Sequence, residues 1–255
     1  MGKRPKKKIF LFLVEGVSDR NALEVPFGQL LEDIDSDIVL EFAMLMQDDG
    51  SFGGDITSKN GIHPDNIERF IDEIMVSPLL KRTGLYPKDI VEIIHFVDMD
   101  GAYIDDNLVV TDGGNEDKPV YYPDIIVTAN PDHVKERNLC KSANLDVLTS
   151  LSSIKIGSKK IKYSVYYFSS NLDHFLYRDA NSDEHGKVRR AAEFSMKHET
   201  SGSLERFFEE NETVTTDMTY GESWDFIKSG ENSLKRHTNV NLLIKRLKAI
   251  AENHI

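Results

Sequence analysis

The chain has a single cysteine and no apolar run that could cross a bilayer. Cys140 is the one cysteine among 255 residues, which excludes an intramolecular disulfide and a multi-cysteine zinc site and fits a reducing cytoplasm. The longest purely apolar run, residues 9–14, has six residues, whereas a transmembrane helix needs about 20. These absences predict a cytoplasmic protein that does not span a membrane.

Net positive charge is also missing, since the formal charge is −12 at pH 7. A protein that coats nucleic acid without sequence preference needs a broad basic face, so the charge disfavours that class. The charge is unevenly placed: residues 98–124 carry many carboxylates and the single base Lys118, whereas residues 228–248 carry several bases and the single acid Glu231. Two such poles suit a site where cations collect beside carboxylates and a polyanion is held nearby, although two solvated faces have the same pattern.

Short apolar runs of the kind that form strands buried on both faces of a parallel sheet recur along the chain. They lie at residues 8–14, 38–46, 89–97 and 161–168, with a shorter one at 125–128. Helical patterns separate them; Ser18 is the expected cap of the first helix, and Pro26 should kink or divide it. This alternation predicts an α/β fold, namely a mostly parallel, Rossmann-like sheet flanked by helices.

The same patterns predict how the chain is divided. Residues 1–178 are expected to form the α/β core, with an acidic loop or small hairpin inserted at about 102–124. Residues 179–255 have a helical pattern with turns expected near Gly202 and Gly221. We therefore expect an α-rich C-terminal elaboration after the core.

Acidic residues follow three of the predicted strands. Glu15 and Asp19 come after the first strand, Asp98 and Asp100 after the third, and Asp173 after the last. Ligands of open α/β sheets bind beyond the carboxyl ends of the strands, and Mg²⁺ prefers oxygen ligands such as carboxylates. Any one of these residues alone is more often a helix cap or a turn residue, but their combination predicts a divalent-metal site.

The order of these motifs resembles the Toprim domain, in which a strand ends in Glu-Gly, an Asp follows four residues after the Glu, and a later strand ends in Asp-x-Asp-Gly. The matching positions are Val14-Glu15-Gly16, Asp19 and Val97-Asp98-Met99-Asp100-Gly101. The resemblance covers about residues 8–175. Topoisomerases, bacterial primases, recombination mediators and the overcoming-lysogenization-defect (OLD) nucleases share this domain.

The resemblance implies both a site and a chemistry. In that family the Glu is a general acid/base or metal ligand and the two Asp residues bind magnesium, which gives Glu15, Asp98 and Asp100 these roles with Mg²⁺ or Mn²⁺. OLD-type nucleases add an Asp and a later acidic residue, which would correspond to Asp19 and Asp173. The implied reaction is metal-assisted hydrolysis of a phosphodiester bond.

The subfamily is indicated by what the chain lacks. It has no room for the strand-passage domains of a topoisomerase and no zinc-binding cysteines of the kind that accompany many primases. It is most similar to the stand-alone Toprim nuclease subunits of bacterial anti-phage systems, such as the partner of an ABC-type ATPase in the PARIS system. The resemblance implies a toxin-like nuclease of tRNA or DNA with a partner ATPase. A strongly acidic protein that cuts a polyanion also needs help with substrate capture, which predicts a partner or a homo-oligomer. The chain has no GxxxxGK[ST] phosphate loop, so nucleotide hydrolysis would come from the partner.

Several bases are available to contact the substrate phosphates. They are Lys159, Lys160, Lys235, Arg236, Lys245 and Arg246. Three alternatives to the defence nuclease stay open: a housekeeping Toprim enzyme that processes RNA or DNA, a non-catalytic Toprim-fold adaptor whose carboxylates cap helices, and a flavodoxin-like domain in which Asp-x-Asp is a turn.

Overall fold

The computed structural model describes residues 7–47, 49–111, 118–211, 213–214 and 217–252. Residues 112–117 of the predicted insertion and residues 253–255 of the predicted C-terminal elaboration lie outside the described part of the chain. No helix within that part is long and apolar enough to cross a membrane.

The strands form two sheets. They are β1 (Lys8–Leu13), β2 (Ile38–Ala43), β3 (Ile90–Asp98), β4 (Val109–Val110), β5 (Val120–Tyr121), β6 (Ile126–Val127), β7 (Ser153–Ile156), β8 (Lys159–Ser169) and β9 (His237–Thr238). The main sheet has the order β2-β1-β3-β8-β7, with β9 paired to β8. The neighbours β2, β1, β3 and β8 are parallel, while β7 and β9 run antiparallel to β8. The mostly parallel sheet predicted from the sequence is therefore present.

Helices separate many of the strands and follow the last one. They are α1 (Val17–Ile34), α2 (Ile67–Phe70), α3 (Ser77–Thr83), α4 (Pro131–Ser150), α5 (Leu172–Tyr177), α6 (Glu184–Lys197), α7 (Ser201–Glu209), α8 (Tyr220–Ile227) and α9 (Val240–Glu252). A π-helical turn, Ile71–Val76, joins α2 to α3. The segment after residue 179 contains α6 to α9 together with the short strand β9.

Both faces of the main sheet are covered, which explains why its strands are almost continuously apolar. Successive β1 side chains alternate between two cores: Leu11 and Leu13 belong to one, and Phe10 and Phe12 to the other. The first core is completed by α2 to α4 and α8, and the second by α1, α5, α6, α7 and α9. The C-terminal helices therefore pack on the same sheet as the predicted core.

One local expectation is wrong, since Gly16, rather than Ser18, occupies the cap position of α1. Pro26 lies inside α1 and does not divide it. The turns expected near Gly202 and Gly221 lie directly before these glycines, at residues 198–200 and 217–219. Both glycines stand in the first turn of a helix that begins after a threonine cap, where a backbone N–H has no partner within the helix in any case.

The predicted insertion forms part of a small second sheet of order β4-β6-β5. The strand expected at 125–128 appears as β6 in this small sheet and not in the main one. The main sheet gains β7 instead, which the sequence patterns did not indicate; it pairs with the start of β8 through a tight turn at Gly157, where φ is +57°. The small sheet places Tyr121 and its neighbours beside the carboxyl ends of the main strands.

Candidate active site

The carboxyl ends of β1, β3 and β8 meet at one edge of the main sheet. Parallel pairing sets Leu13 beside His95 and Asp98 beside Phe168, so the residues that follow these strands lie close together. A cleft with a volume of about 750 Å³ opens there. It is lined by all five acidic residues that the sequence motifs single out: Glu15, Asp19, Asp98, Asp100 and Asp173.

The Asp-x-Asp-Gly turn is held by backbone contacts. The N–H groups of Met99 and Asp100 donate to the Ser170 carbonyl at 2.8 and 2.7 Å, which ties the end of β3 to the end of β8. Asp100 and Gly101 both have positive φ, 48° and 70°. A Cβ atom on Gly101 would also lie 2.8 Å from Leu234, so the turn requires glycine at this position.

Glu15 and Asp98 are joined through the backbone. The Asp98 N–H donates to Oε1 of Glu15 at 3.2 Å, and Oδ1 of Asp98 accepts from the Leu172 N–H at 2.8 Å. Burial, followed by the repulsion of neighbouring carboxylates, raises the pKa of both acids well above the usual range. Burial is the larger cause for both acids, and the neighbouring carboxylates add to it because Lys141 offsets only part of their charge.

Asp19 and Asp173 stand at helix starts that border the cleft. Oδ2 of Asp19 accepts from the Gly16 N–H at 2.8 Å, so the Asp19 carboxylate helps to cap the start of α1. Helix capping is the role that such an acidic residue has when it does not bind a metal. Burial, together with the charge of Asp173, raises the pKa of Asp19 to about 6 against the opposing effect of this hydrogen bond. Asp173 accepts from Ser182 and lies 3.7 Å from the ammonium group of Lys187 on α6.

Sequence reasoning missed the cation at the centre of the site. Lys141 on α4 is fully buried, and its Nζ lies 2.6 Å from Asp100, 2.9 Å from Asp55 and 3.8 Å from Glu15. Burial alone would lower the pKa of Lys141, but the three carboxylates raise it well above the usual range. Burial alone would likewise raise the pKa of Asp55, but Lys141 and the hydrogen bonds from Thr57 hold it low.

A signal for Lys141 was present in the sequence of α4. Val134, Leu145 and Leu148 are buried on one stripe of the helix, and Asn138 and Lys141 fill the two remaining positions of that stripe. A polar residue on an otherwise apolar stripe is informative because burial of an unpaired polar group is unfavourable. Asn138 reaches the Gly101 carbonyl at 3.2 Å, so both polar residues bind the Asp-x-Asp-Gly turn. Asp55 had no comparable signal, since it lies in a glycine-rich loop.

The structure brings none of the six predicted phosphate-binding bases to the lining of the cleft. Lys159 and Lys160 begin β8, whereas the site follows its other end, so they lie about 30 Å away at ~3.3 Å per residue. Arg246 on α9 binds Glu92 with two hydrogen bonds of 2.9 and 2.6 Å.

The three other bases on the predicted list also lie outside the lining of the cleft. Lys235 pairs with Glu231, Lys245 is exposed on α9, and Arg236 lies in a different pocket. The bases that do line the cleft are Lys118 and Lys187.

The carboxylates of the site outnumber its bases. The acids are Glu15, Asp19, Asp55, Asp98, Asp100 and Asp173, and the bases in direct contact with them are Lys141 and Lys187. This oxygen-rich donor set with excess negative charge fits a hard divalent cation such as Mg²⁺ or Mn²⁺. As the side chains stand, no three His, Cys, Asp or Glu groups of the described residues are close enough together to form a coordination shell. The carboxylate oxygens are thus of the type that binds such an ion. In the present arrangement, three of the carboxylates are held together by the ammonium group of Lys141.

Comparisons with known proteins add no assignment: no protein-family model, curated protein or solved structure matches the chain.

Proposed function

We propose that this chain is a Toprim-like, metal-dependent nuclease that hydrolyses phosphodiester bonds of tRNA or DNA in the cytoplasm. One observation carries the proposal: Glu15, Asp98 and Asp100, from two separate motifs of the sequence, line one cleft at the carboxyl edge of a parallel sheet. This edge is where ligands of open α/β sheets bind. The metal would be held by these three residues, with Asp19 and Asp173 beside them.

Mg²⁺ or Mn²⁺ bound there would lower the pKa of a water molecule and offset charge on the phosphate oxygens. The residues of the chain supply the positioning. Lys141 is too deeply buried to line the cleft, but its contacts with Asp55 and Asp100 fix the second acidic motif and offset part of its charge. Lys187 does line the cleft, so its ammonium group is placed to contact a substrate phosphate.

We further propose that the nuclease is the effector of an anti-phage abortive-infection system and works with an ABC-type or OLD-like ATPase. The support is indirect. The acidic chain carries an acidic cleft, so it needs help to capture a polyanion, and the sequence has no phosphate loop with which to hydrolyse a nucleotide itself.

The test is induced expression of the wild type beside Glu15→Ala and Asp98→Ala, with and without the partner ATPase. Total RNA and DNA from each culture are run on gels. Asp146→Ala is the matched control, because Asp146 is an exposed carboxylate whose ion pair with Lys228 lies outside the cleft. Growth arrest or cleaved nucleic acid in the wild type and the control alone supports the proposal, and the gel identifies the substrate. Equal behaviour of four equally soluble proteins contradicts it.

A non-catalytic adaptor is the second candidate, and one observation favours it. Asp19 serves as a helix cap and Lys141 already sits among three carboxylates, so much of the acidic cluster has a structural explanation. An adaptor would keep its partner interaction in the Asp98→Ala variant, whereas the nuclease would lose its effect on cells.

A further inference from the structure

A smaller pocket opens beside the acidic cleft and shares a wall with it. Glu15, Asp19 and Asp98 line both spaces, so the two are continuous. The smaller pocket has a volume of about 380 Å³, within the range of about 300–1,000 Å³ that small-molecule sites have. Away from the shared wall, Lys187 is the only charged lining residue among those that the structure describes, and the rest are apolar side chains, glycines and Ser18. A group that enters from the cleft therefore passes from a carboxylate wall to a largely apolar one.

Three apolar side chains of this pocket are exposed to solvent. They are Val17 at the start of α1, Val188 on α6 and Phe52 in the loop after β2. Because they come from three separate segments and line one space, they form an apolar patch rather than scattered surface residues. Phe52 is 37% exposed, whereas every other phenylalanine of the chain is buried or half-buried. The exposed ring beside the acidic cleft is therefore a feature that core packing does not explain.

The loop that carries Phe52 is tied both to the chain after β2 and to the first acidic motif. Phe52 pairs with Met46 in an antiparallel bridge, and the Gly53 N–H donates to the Leu45 carbonyl at 2.9 Å. The backbone of Gly53, where φ is +147°, runs against Glu15: a Cβ atom on this glycine would lie 3.6 Å from the Glu15 carbonyl oxygen. The aromatic ring is thus held one residue from a backbone contact with the acidic site.

Arg82 on α3 packs against the Phe52 ring from outside the pocket. Its guanidinium carbon lies 4.9 Å from the centre of the ring, and Arg82, unlike Phe52, does not line the pocket. A guanidinium group over an aromatic face is a favourable contact, and it fixes the ring further. A ring that is covered by a cation outside the pocket and borders open space inside it is suited to stacking with a flat ligand.

We propose that this pocket receives the nucleobase of the nucleotide whose phosphate lies in the acidic cleft, and that this base stacks on Phe52. The identity of the ligand as a nucleotide rests on the proposed function, whereas the aromatic platform rests on the pocket itself. A base is neutral and flat, so it gains from contact with Phe52 and from burial of Val17 and Val188, whereas a second phosphate would be repelled by the acids of the shared wall. Because every base has a π-face, the contact holds the strand without selecting its sequence.

The test compares Phe52→Leu with Phe52→Trp in an Asp98→Asn background, in which the strand is bound without being cut. Leucine keeps an apolar side chain but removes the ring, and tryptophan keeps a stacking surface. Tyr86→Leu in the same background is the matched control, because Tyr86 is an exposed aromatic residue with the Lys88 ammonium group 5.3 Å from its ring centre. Tyr86 precedes β3, so it lies at the opposite edge of the sheet from the cleft. Fluorescence anisotropy of labelled single-stranded DNA and of tRNA, in EDTA at several salt concentrations, gives the affinity.

We expect Phe52→Leu to bind both probes at least about fivefold more weakly than the Asp98→Asn parent, which is the lower end of the range for one stacked base. The salt slope should stay unchanged because no phosphate contact is removed, and Phe52→Trp should keep the affinity of the parent. The tryptophan emission of Phe52→Trp should also fall when the strand binds. The single tryptophan of the parent, Trp224, is buried, so the emission of the parent should not respond.

Several results would overturn the proposal. Unchanged affinity of Phe52→Leu, or no measurable strand binding by the parent, would mean that no base occupies the pocket. An equal loss in Tyr86→Leu would mean that the effect is not local to the pocket, and a reduced salt slope in Phe52→Leu would mean that phosphate contacts were lost instead of stacking. A change of molar mass on Phe52→Leu, measured by sedimentation, would assign the apolar patch to a contact between copies of the chain.

The base pocket and the nuclease activity can fail separately. If Phe52→Leu loses strand binding but the wild type never cleaves with Mg²⁺ or Mn²⁺, the pocket stands and the catalytic proposal falls. If the wild type cleaves and Phe52→Leu, with Asp98 restored, binds and cleaves equally well, the reverse holds.

Discussion

Replacement of Lys141 by methionine is expected to destabilise the protein strongly in the absence of metal. The variant keeps an unbranched side chain that is one atom shorter, and it removes the ammonium group that lies 2.6 Å from Asp100, 2.9 Å from Asp55 and 3.8 Å from Glu15. Three carboxylates would then share one buried region with no opposing charge. Removal of one partner from a buried ion pair costs about 3–5 kcal/mol, and this lysine serves more than one pair.

The cost should depend on pH in a defined direction. In the wild type the pKa of Asp55 is held low, so this group stabilises the fold above its unfolded pKa and loses that contribution as the pH falls through its folded pKa. Without Lys141 the pKa of Asp55 rises, and protonation relieves the repulsion instead. The free energy lost on Lys141→Met should therefore be largest near pH 8 and shrink towards pH 5.

Urea unfolding in EDTA measures this directly. With a slope of about 3 kcal/mol per molar urea, a loss of about 3–5 kcal/mol lowers the midpoint by ~1–1.7 M. Lys248→Met is the matched control, because Lys248 pairs with Glu205 at 2.7 Å on the surface and such pairs contribute about 1 kcal/mol or less. If Lys141→Met costs no more than this control, or if its cost grows at low pH, Lys141 is not the counter-ion of the acidic cluster.

Three further variants test other parts of the structure. Asp98→Asn should raise the free energy of unfolding in EDTA by about 1 kcal/mol at pH 8, and this gain should vanish as the pH falls through the raised pKa of Asp98. Thermal unfolding at pH 8 should show a higher Tm, and a lower Tm would contradict the repulsion between the carboxylates. Gly101→Ala should cost about 1–3 kcal/mol because φ of this residue is +70° and the new Cβ would meet Leu234. Gly202→Ala, in the first turn of α7, is the control and should be neutral or slightly stabilising. Equal effects of the two variants on urea unfolding would refute the turn geometry at Gly101. Arg246→Met should cost about 3 kcal/mol near neutral pH because Glu92 is 1% exposed and loses two hydrogen bonds. The depressed pKa of Glu92 contributes stability that is present above the ordinary Glu pKa of about 4.3 and is lost as the pH falls through the lower folded pKa, so the cost should diminish over that range. A cost that is independent of pH would contradict this.

The sequence predicted the parts of the structure that depend on short-range patterns. The apolar runs placed β1, β2, β3 and β8, and the acidic residues after them lie at one edge because parallel strands end together. Glu15 and Asp98 could be found in this way because each follows a recognisable strand.

The parts that depend on packing between distant segments could not be read in the same way. Lys141 is bound to its site by contacts with Asp55 and Asp100, which no local pattern links to α4. Lys159 and Lys160 were expected near phosphate from charge alone, but charge does not tell which end of β8 a residue occupies.

Titration calorimetry with Mn²⁺ tests most directly whether the acidic cleft holds a divalent cation through Glu15, Asp98 and Asp100, because it needs neither substrate nor partner. The wild type and the surface control Asp146→Asn should show saturable binding, and Asp98→Asn and Asp100→Asn should bind at least about tenfold more weakly, or about 1.4 kcal/mol. Absence of Mn²⁺ binding by the wild type, or equal affinity in all four proteins, would contradict the account.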